Sequence, residues 1–179
     1  MGTPVVRLVP ALPEHLDEWI AIRAGATSRR LIPMDEDSRE SLLKRLSEAS
    51  SDVTDPRAKS FRWMVEADGR IAGTLSAREL SRVHGRVEVG YMLAEEYLGR
   101  GIGTRAVTLM LERLFSIPQL YRVWLTTTAE NVGSQALARK LGFVLEGVMR
   151  EHTVVQGRRM DLQFWGLLRP EWEARQASR

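Results

Sequence analysis

Val87-Glu88-Val89-Gly90-Tyr91-Met92-Leu93 opens the stretch that decides the fold; Ala94 to Gly99, then Arg100-Gly101-Ile102-Gly103-Thr104, then Arg105 to Leu114 complete it. It reads as strand, short loop, glycine turn and helix. The strand is apolar and β-branched, with Glu88 the one charged residue inside it. Beyond the turn, Ala106, Val107, Leu109, Met110, Leu111 and Leu114 recur at helical spacing. A helix start offers unpaired backbone N–H groups and the positive end of the dipole. Glycine lets an anion approach that backbone, and Arg100 adds charge, so phosphate or pyrophosphate suits residues 100–104. A turn that needs glycine for geometry alone would carry the same letters. The stretch is not a Walker A loop, since no Lys-Ser or Lys-Thr follows the glycines. It is not a full dinucleotide fingerprint either, since Thr104-Arg105-Ala106 lacks the third glycine.

The chain has 179 residues, enough for one domain (residues 1–179) with a sizeable core, and its 44% hydrophobic content marks a globular protein. No apolar run approaches the roughly 20 residues of a membrane helix. Met1 to Pro10 lacks the charged-then-apolar order of a signal peptide. There is no cysteine, hence no disulfide, thiolate nucleophile or cysteine-based zinc site, which suits a cytoplasmic protein. The net charge is +3, with basic residues scattered along the chain, so nucleic-acid binding is not implied. His15, His84 and His152 lack metal-ligand spacing, and no metal is expected.

Outward from the central stretch, Val5 to Val9 reads as a first strand and Leu12 to Arg23 as a helix ending at Gly25. Ala26 to Asp37 reads as irregular, with Ser38 capping a second helix that carries Leu42, Leu43 and Leu46. Ser50 to Ser60 is a polar loop. Phe61 to Glu66 and Arg70 to Leu80 are strands joined by Ala67-Asp68-Gly69, a strong hairpin signal, and Gly73 marks a bulge or close backbone approach. Tyr121 to Thr127 is a strand parallel to the central one, because a helix connects them. Val132 to Leu141 is a helix capped by Gly142. Phe143 to Val155 and Arg158 to Leu168 are long strands about Gln156-Gly157, and Pro170 opens a terminal helix through Trp172. Trp19, Trp63, Trp124, Trp165 and Trp172 read as core, and Asp161 as a structural partner of Arg158-Arg159. The expected fold is α+β (mixed α/β). It has a mostly antiparallel sheet of about seven strands, a parallel pair at its centre, and about four to five flanking helices.

Three segments together resemble the GNAT acetyltransferase superfamily. The first is Glu88 to Leu93 with Gly99 to Thr104. The second is Glu130-Asn131-Val132-Gly133-Ser134-Gln135, then Lys140-Leu141-Gly142-Phe143, Glu146-Gly147 and Arg150. The third is Gly157 to Asp161, ending in Leu167-Leu168 and Glu171-Trp172. The Asn-x-x-Ser helix and the terminal Glu-Trp resemble the ribosomal-protein N-terminal acetyltransferase branch (RimJ/RimL type). The resemblance implies acetyl-CoA as donor and no metal. It implies that the backbone of Met92 and Leu93 pairs with the pantetheine arm like an added strand. It places the pyrophosphate on the amides of Arg100, Gly101, Ile102, Gly103 and Thr104, and sets Asn131 against pantetheine or thioester. Arg139 or Lys140 could reach the nucleotide phosphates, or simply be solvated. There are departures: Leu98 stands where the family's turn often begins with Gln, Arg or Trp. Ala138 stands where many members carry the tyrosine that protonates the departing thiolate. In the ribosomal branch a serine matching Ser134 is the usual candidate instead.

The implied reaction is direct acyl transfer to an amine, with no cysteine available for a covalent route. Glu88, the lone acid of the central strand, is the expected base, directly or through water; the alternative is that it faces solvent or pairs with arginine. Backbone N–H groups near Met92 and Leu93 would stabilise the oxyanion. Ser134 would relay a proton to sulfur, or else cap its helix. Glu14, Asp17, Glu18 and Asp35 to Asp37 could attract a cationic amine, or form a solvated surface. The expected acceptor is a protein N-terminus, as in ribosomal-protein acetylation, or a small amine. An aminoglycoside or polyamine acetyltransferase is a second reading, and a non-catalytic acyl-CoA-binding module a third. Edge strands of such a sheet permit a monomer or a homodimer.

Overall fold

The computed structural model describes residues 4–178. Its frame is one sheet of seven strands in the order β1-β2-β3-β4-β5-β7-β6. In chain order the strands are β1 (Val6–Pro10), β2 (Phe61–Ala67), β3 (Arg70–Ser81), β4 (Arg86–Leu93), β5 (Arg122–Thr128), β6 (Val144–Val155) and β7 (Arg158–Leu168). The helices are α1 (Leu16–Ala24), α2 (Ala26–Leu31), α3 (Arg39–Ser47), α4 (Ile102–Phe115), α5 (Val132–Leu141) and α6 (Arg169–Ala177). All neighbouring strands run antiparallel except β4 and β5, the expected parallel pair.

Local chemistry explains most boundaries. Asp68 and Gly69 both take positive φ (50° and 79°), the backbone a two-residue hairpin needs to match strand twist. Ser38 accepts a hydrogen bond from the Ser41 amide and starts α3 as expected. Gly142 ends α5 in the left-handed conformation, φ 94°. Gly73 does both things expected of it. The register slips beside it, where Val65 pairs with Gly73 but Glu66 with Ile71. A Cβ on Gly73 would stand 2.4 Å from the Met92 carbonyl oxygen.

The sheet buries a different cluster on each face. On one face Ala106, Val107, Met110, Leu111 and Leu114 of α4 pack with Ala138 and Leu141 of α5 and Trp172 of α6. On the other, Trp19 and Ile22 of α1 and Leu42 and Leu46 of α3 cover Met64. Alternation along β2 separates them, Trp63 and Val65 going one way and Met64 the other.

Four expectations need correction. Ala26 to Asp37 is not wholly irregular: Ala26–Leu31 forms α2, whose Thr27 amide and hydroxyl both donate to Glu95 from across the fold. Its six residues bury only Ser28 and Leu31, too little for a periodic signal. The terminal helix continues past Trp172 to Ala177. Trp124 is half-buried and stacks on Phe164, 5.9 Å between centroids, whereas the other four tryptophans are core. Asp161 pairs with no arginine; its carboxylate accepts from the Glu151 amide, where β6 bulges and Glu151 takes φ 51°.

Gly73→Ala should lower the free energy of urea unfolding by about 1–3 kcal/mol, because the added methyl group meets the Met92 carbonyl, which is fixed backbone, as well as the Leu93 side chain. An unchanged denaturation midpoint would mean that β3 and β4 can separate without loss.

Candidate active site

β4 and β5 pair over only three positions: Arg86 with Arg122, Val87 with Val123 and Glu88 with Trp124. Beyond Glu88, β4 stays with β3 as far as Leu93 and Gly73, while β5 stays with β7 as far as Thr128 and Leu162. The sheet is therefore forked, and the edge of β4 from Val89 to Leu93 faces the gap without a strand beside it. A cleft of about 350 Å³ fills the fork and runs under α1, lined among others by Gly90, Tyr91, Met92, Asn131 and Ser134. Unpaired strand edge is what an extended polyamide chain adds to.

The glycine turn lies at the mouth of the fork. Gly99 and Gly101 take φ 70° and 78°, which glycine adopts without strain. Gly101 is the N-cap of α4, and the first bond into it is Arg105 N–H to Gly101 C=O, 3.1 Å. The amides of Ile102, Gly103 and Thr104 thus start the helix free of intrahelical partners. Ile102 and Thr104 edge a second hollow of about 320 Å³, lined also by Arg100, Arg105 and Lys140. The side chain of Ile102 is buried in the core, so only its backbone is available there. Gly103 is small for packing: a Cβ would come 3.2 Å from both Leu93 and Leu137. Of the two basic residues on α5, Lys140 faces the hollow, whereas Arg139 lies over the Trp165 ring.

Of the two roles open to Ser134, a proton relay or a helix cap, capping falls to Asn131. Asn131 is the N-cap of α5, its side-chain oxygen accepting from the Ser134 amide at 3.1 Å. The Ser134 hydroxyl is left free and meets the Tyr91 hydroxyl at 2.7 Å. Tyr91 reaches it from β4, and burial pushes its phenol up to about 12 against the opposing pull of the Ser134 hydrogen bond. A tyrosine thus stands at the fork although Ala138 supplies none. Tyr91 carried no role in the sequence; its distance from Ser134 along the chain hid the contact.

Glu88 lies on the cleft wall, its side chain 12% exposed, and accepts a hydrogen bond from Arg78 at 2.8 Å. It is therefore an ion-paired acid at the cleft, not one isolated among apolar groups, because Arg78 faces it directly across β3 and β4. Under α1 the cleft is strongly ionic. Asp37 is almost fully buried and bridges Arg23 and Arg45, each at 2.8 Å. Asp17 is exposed and paired with Arg39, away from this wall. His152 also lines the cleft, which its place in the sequence did not suggest. Among the described residues no group of three or more His, Asp or Glu is placed to hold a metal ion, and no helix is long and apolar enough to cross a membrane.

The sheet is thus forked at its one parallel pair, with a glycine turn opening a helix at the mouth of the fork. Residues 6–144 match the family model of the acetyltransferase (GNAT) domain, and the chain belongs to that family. It is similar to the Bacillus subtilis (strain 168) protein named "Putative ribosomal N-acetyltransferase YdaF", 35% identical over 106 residues, 59% of this chain and 58% of that protein. It is equally similar, 35% over 97 residues, to the spermidine N(1)-acetyltransferase of Escherichia coli K12, covering 54% of this chain and 52% of that one. The chain thus spans little more than half the length of these curated relatives. Its fold matches the structure of RimL, a ribosomal L7/L12 alpha-N-protein acetyltransferase, in complex with coenzyme A. The TM-score is 0.78 at 19% identity, over 91% of this chain and 93% of that one.

Tyr91 should stay protonated as pH is raised to about 11, so tyrosinate absorbance should be the same in the wild type and Tyr91→Phe until pH approaches 12. A difference already present near pH 10 would show the hydroxyl to be solvated.

Proposed function

We propose that residues 1–179 act as one acetyl-CoA-dependent N-acetyltransferase domain that acetylates a primary amine directly. The observation that carries this reading is the fork itself: open β4 backbone and a hydroxyl pair line its cleft, and free amides at the start of α4 edge a second hollow. The donor fits these groups. Three unpartnered amides and two cations, Arg100 and Lys140, suit a pyrophosphate; the Val89–Leu93 edge suits the two amides of a pantetheine arm.

Acetyl-CoA supplies an acetyl group activated as a thioester. The chain supplies position and protons. Backbone N–H groups near Met92 and Leu93 hold the carbonyl oxygen as charge grows on it. Glu88 accepts the proton of the incoming amine, directly or through water, with Arg78 keeping the carboxylate in place. Ser134 Oγ gives a proton to the departing sulfur. Tyr91, kept protonated at neutral pH, passes its proton to Ser134 across their 2.7 Å contact and takes one back from water before the next turnover, as Glu88 releases the amine's proton to water. Tyr91 thus stands in for the tyrosine that Ala138 cannot provide. The acceptor is a protein N-terminus or a small amine. YdaF and RimL are named for ribosomal acceptors and the Escherichia coli relative for spermidine, so similarity alone leaves the acceptor open.

Thiol release from acetyl-CoA should depend on an amine when N-terminal peptides, amino acids, polyamines and aminoglycosides are tried in turn. Tight acetyl-CoA binding with no release from any of them would favour a non-catalytic module. Ser134→Ala should lower kcat by about 10²–10⁴ with acetyl-CoA affinity retained. Tyr91→Phe should cost less, and adding it to Ser134→Ala should cost little more, because the two hydroxyls act in series.

A further inference from the structure

The acceptor end of the cleft carries a cation that the protein leaves unmatched. The cleft lining includes four arginines (Arg23, Arg45, Arg62 and Arg78) and three carboxylates (Asp35, Asp37 and Glu88). Asp37 is held by Arg23 and Arg45, Glu88 is held by Arg78, and Asp35 stands exposed at the mouth. That leaves Arg62. Among the described residues its guanidinium has no ion pair and no hydrogen bond. It lies over Trp19, its central carbon 4.3 Å from the ring centroid. Stacking satisfies the face of a guanidinium but not its five N–H donors, which lie in its plane. Burial pushes this group down to about 10, Arg78, Arg45 and Arg23 press the same way, and Asp37 alone opposes them; Arg62 still carries its charge at neutral pH. Trp19 adds a second orphan: its indole N–H is buried without a partner. Both groups are donors: a buried indole N–H left unpaired is costly, and half-buried Arg62 offers its N–H groups to the cleft.

Register fixes where these donors sit. Arg62 pairs with Ser76, and Ser76 with Gly90, so the three form a row across β2, β3 and β4 on one face. Glu88 shares that face, two residues before Gly90. Gly90 leaves the row open: a Cβ there would lie 3.3 Å from Ser76 Oγ. An acceptor whose amine lies at Glu88 therefore has room to extend over Gly90 and Ser76 toward Arg62. From these observations we infer that the acceptor is an amine bearing a carboxylate, which Arg62 binds through its planar fork while Glu88 serves the amine. The acceptor is then not a polyamine: spermidine would bring more positive charge to the end of the cleft that already has an excess. The inference rests on the acetyltransferase reading of the same cleft. The carboxylate can belong to a free amino acid or to an acidic residue near a peptide N-terminus, and the chemistry at Arg62 is the same.

The test pairs acceptors that differ only in carboxylate against carboxamide. One pair is alanine and alaninamide, which differ only at the α-carboxylate. The other is a C-terminally amidated tripeptide with a free N-terminus carrying glutamate or glutamine second. Spermidine is run beside them. Thiol release should favour the carboxylate member of at least one pair by about 10- to 100-fold in kcat/KM. The pair that responds identifies the source. Arg62→Gln should collapse that ratio toward one, and Arg62→Lys should restore part of it, since charge returns without the fork. Equal rates within both pairs, a spermidine rate above all others, or a ratio unmoved by Arg62→Gln would overturn the inference while leaving the acetyltransferase reading intact. Absence of release from every acceptor would count against that reading instead. Calorimetry with N-acetylglutamate then decides the anion site separately: saturable binding lost in Arg62→Gln supports it, and no binding by the wild type overturns it.

Discussion

Where β4 and β5 part after Glu88 and Trp124, the sheet gives up ladder hydrogen bonds in exchange for an open edge. Each strand keeps its other neighbour, so neither loses its place: β4 remains laced to β3, and β5 to β7. The helices hold the fork apart. α4 begins just past the end of β4, and its Gly103 touches both Leu93 of that strand and Leu137 of α5. α5 begins just past β5, anchored by Asn131 and by Gln135, which donates to the Ala129 carbonyl. Close packing at Gly103 is what lets two helix N-termini sit at the mouth of one gap.

The two walls of the cleft differ in chemistry because they come from opposite faces of the sheet. Tyr91 points toward α5 and brings a hydroxyl to Ser134. Glu88, on the alternate face, points toward the arginines beneath α1 and α3. One strand thus contributes backbone at its edge, a hydroxyl on one side and a carboxylate on the other. The ionic wall is also the part of the fold with the least apolar cover, since α1 and α3 bury only a small second cluster. Its arrangement depends on Asp37, one buried carboxylate holding two arginines, and breaking such a bridge strands charge in the interior.

Much of this was legible in the chain because the relevant physics is local. Asp68-Gly69, Ser38 and Gly142 act through their own backbone or a neighbour three residues away, so their effects can be read without a fold. The helical stripe of α4 and the glycine turn before it are local too. What escaped is non-local or short. α2 has too few buried residues to show a period, and is capped by Glu95 from far along the sequence. Asp161 lies beside two arginines in sequence yet bonds a bulged backbone amide on the neighbouring strand. Trp124 looks like core by composition, but its side of β5 is only half covered.

The sequence by itself determined the order of the strands, most of the helices, the crossover that makes β4 and β5 parallel, and a glycine turn that opens a helix. These follow from periodicity, handedness and backbone freedom, which act over a few residues at a time. Only the tertiary structure decided which side chains meet. Tyr91 and Ser134 are 43 residues apart, and Glu88 and Arg78 are neighbours only through the register of a hairpin. That Arg62 has no ion pair among the described residues emerges only once Asp37 is seen held by Arg23 and Arg45, and Glu88 by Arg78. Pairing of charges is settled by distance in space, and distance in space is what a linear sequence does not contain.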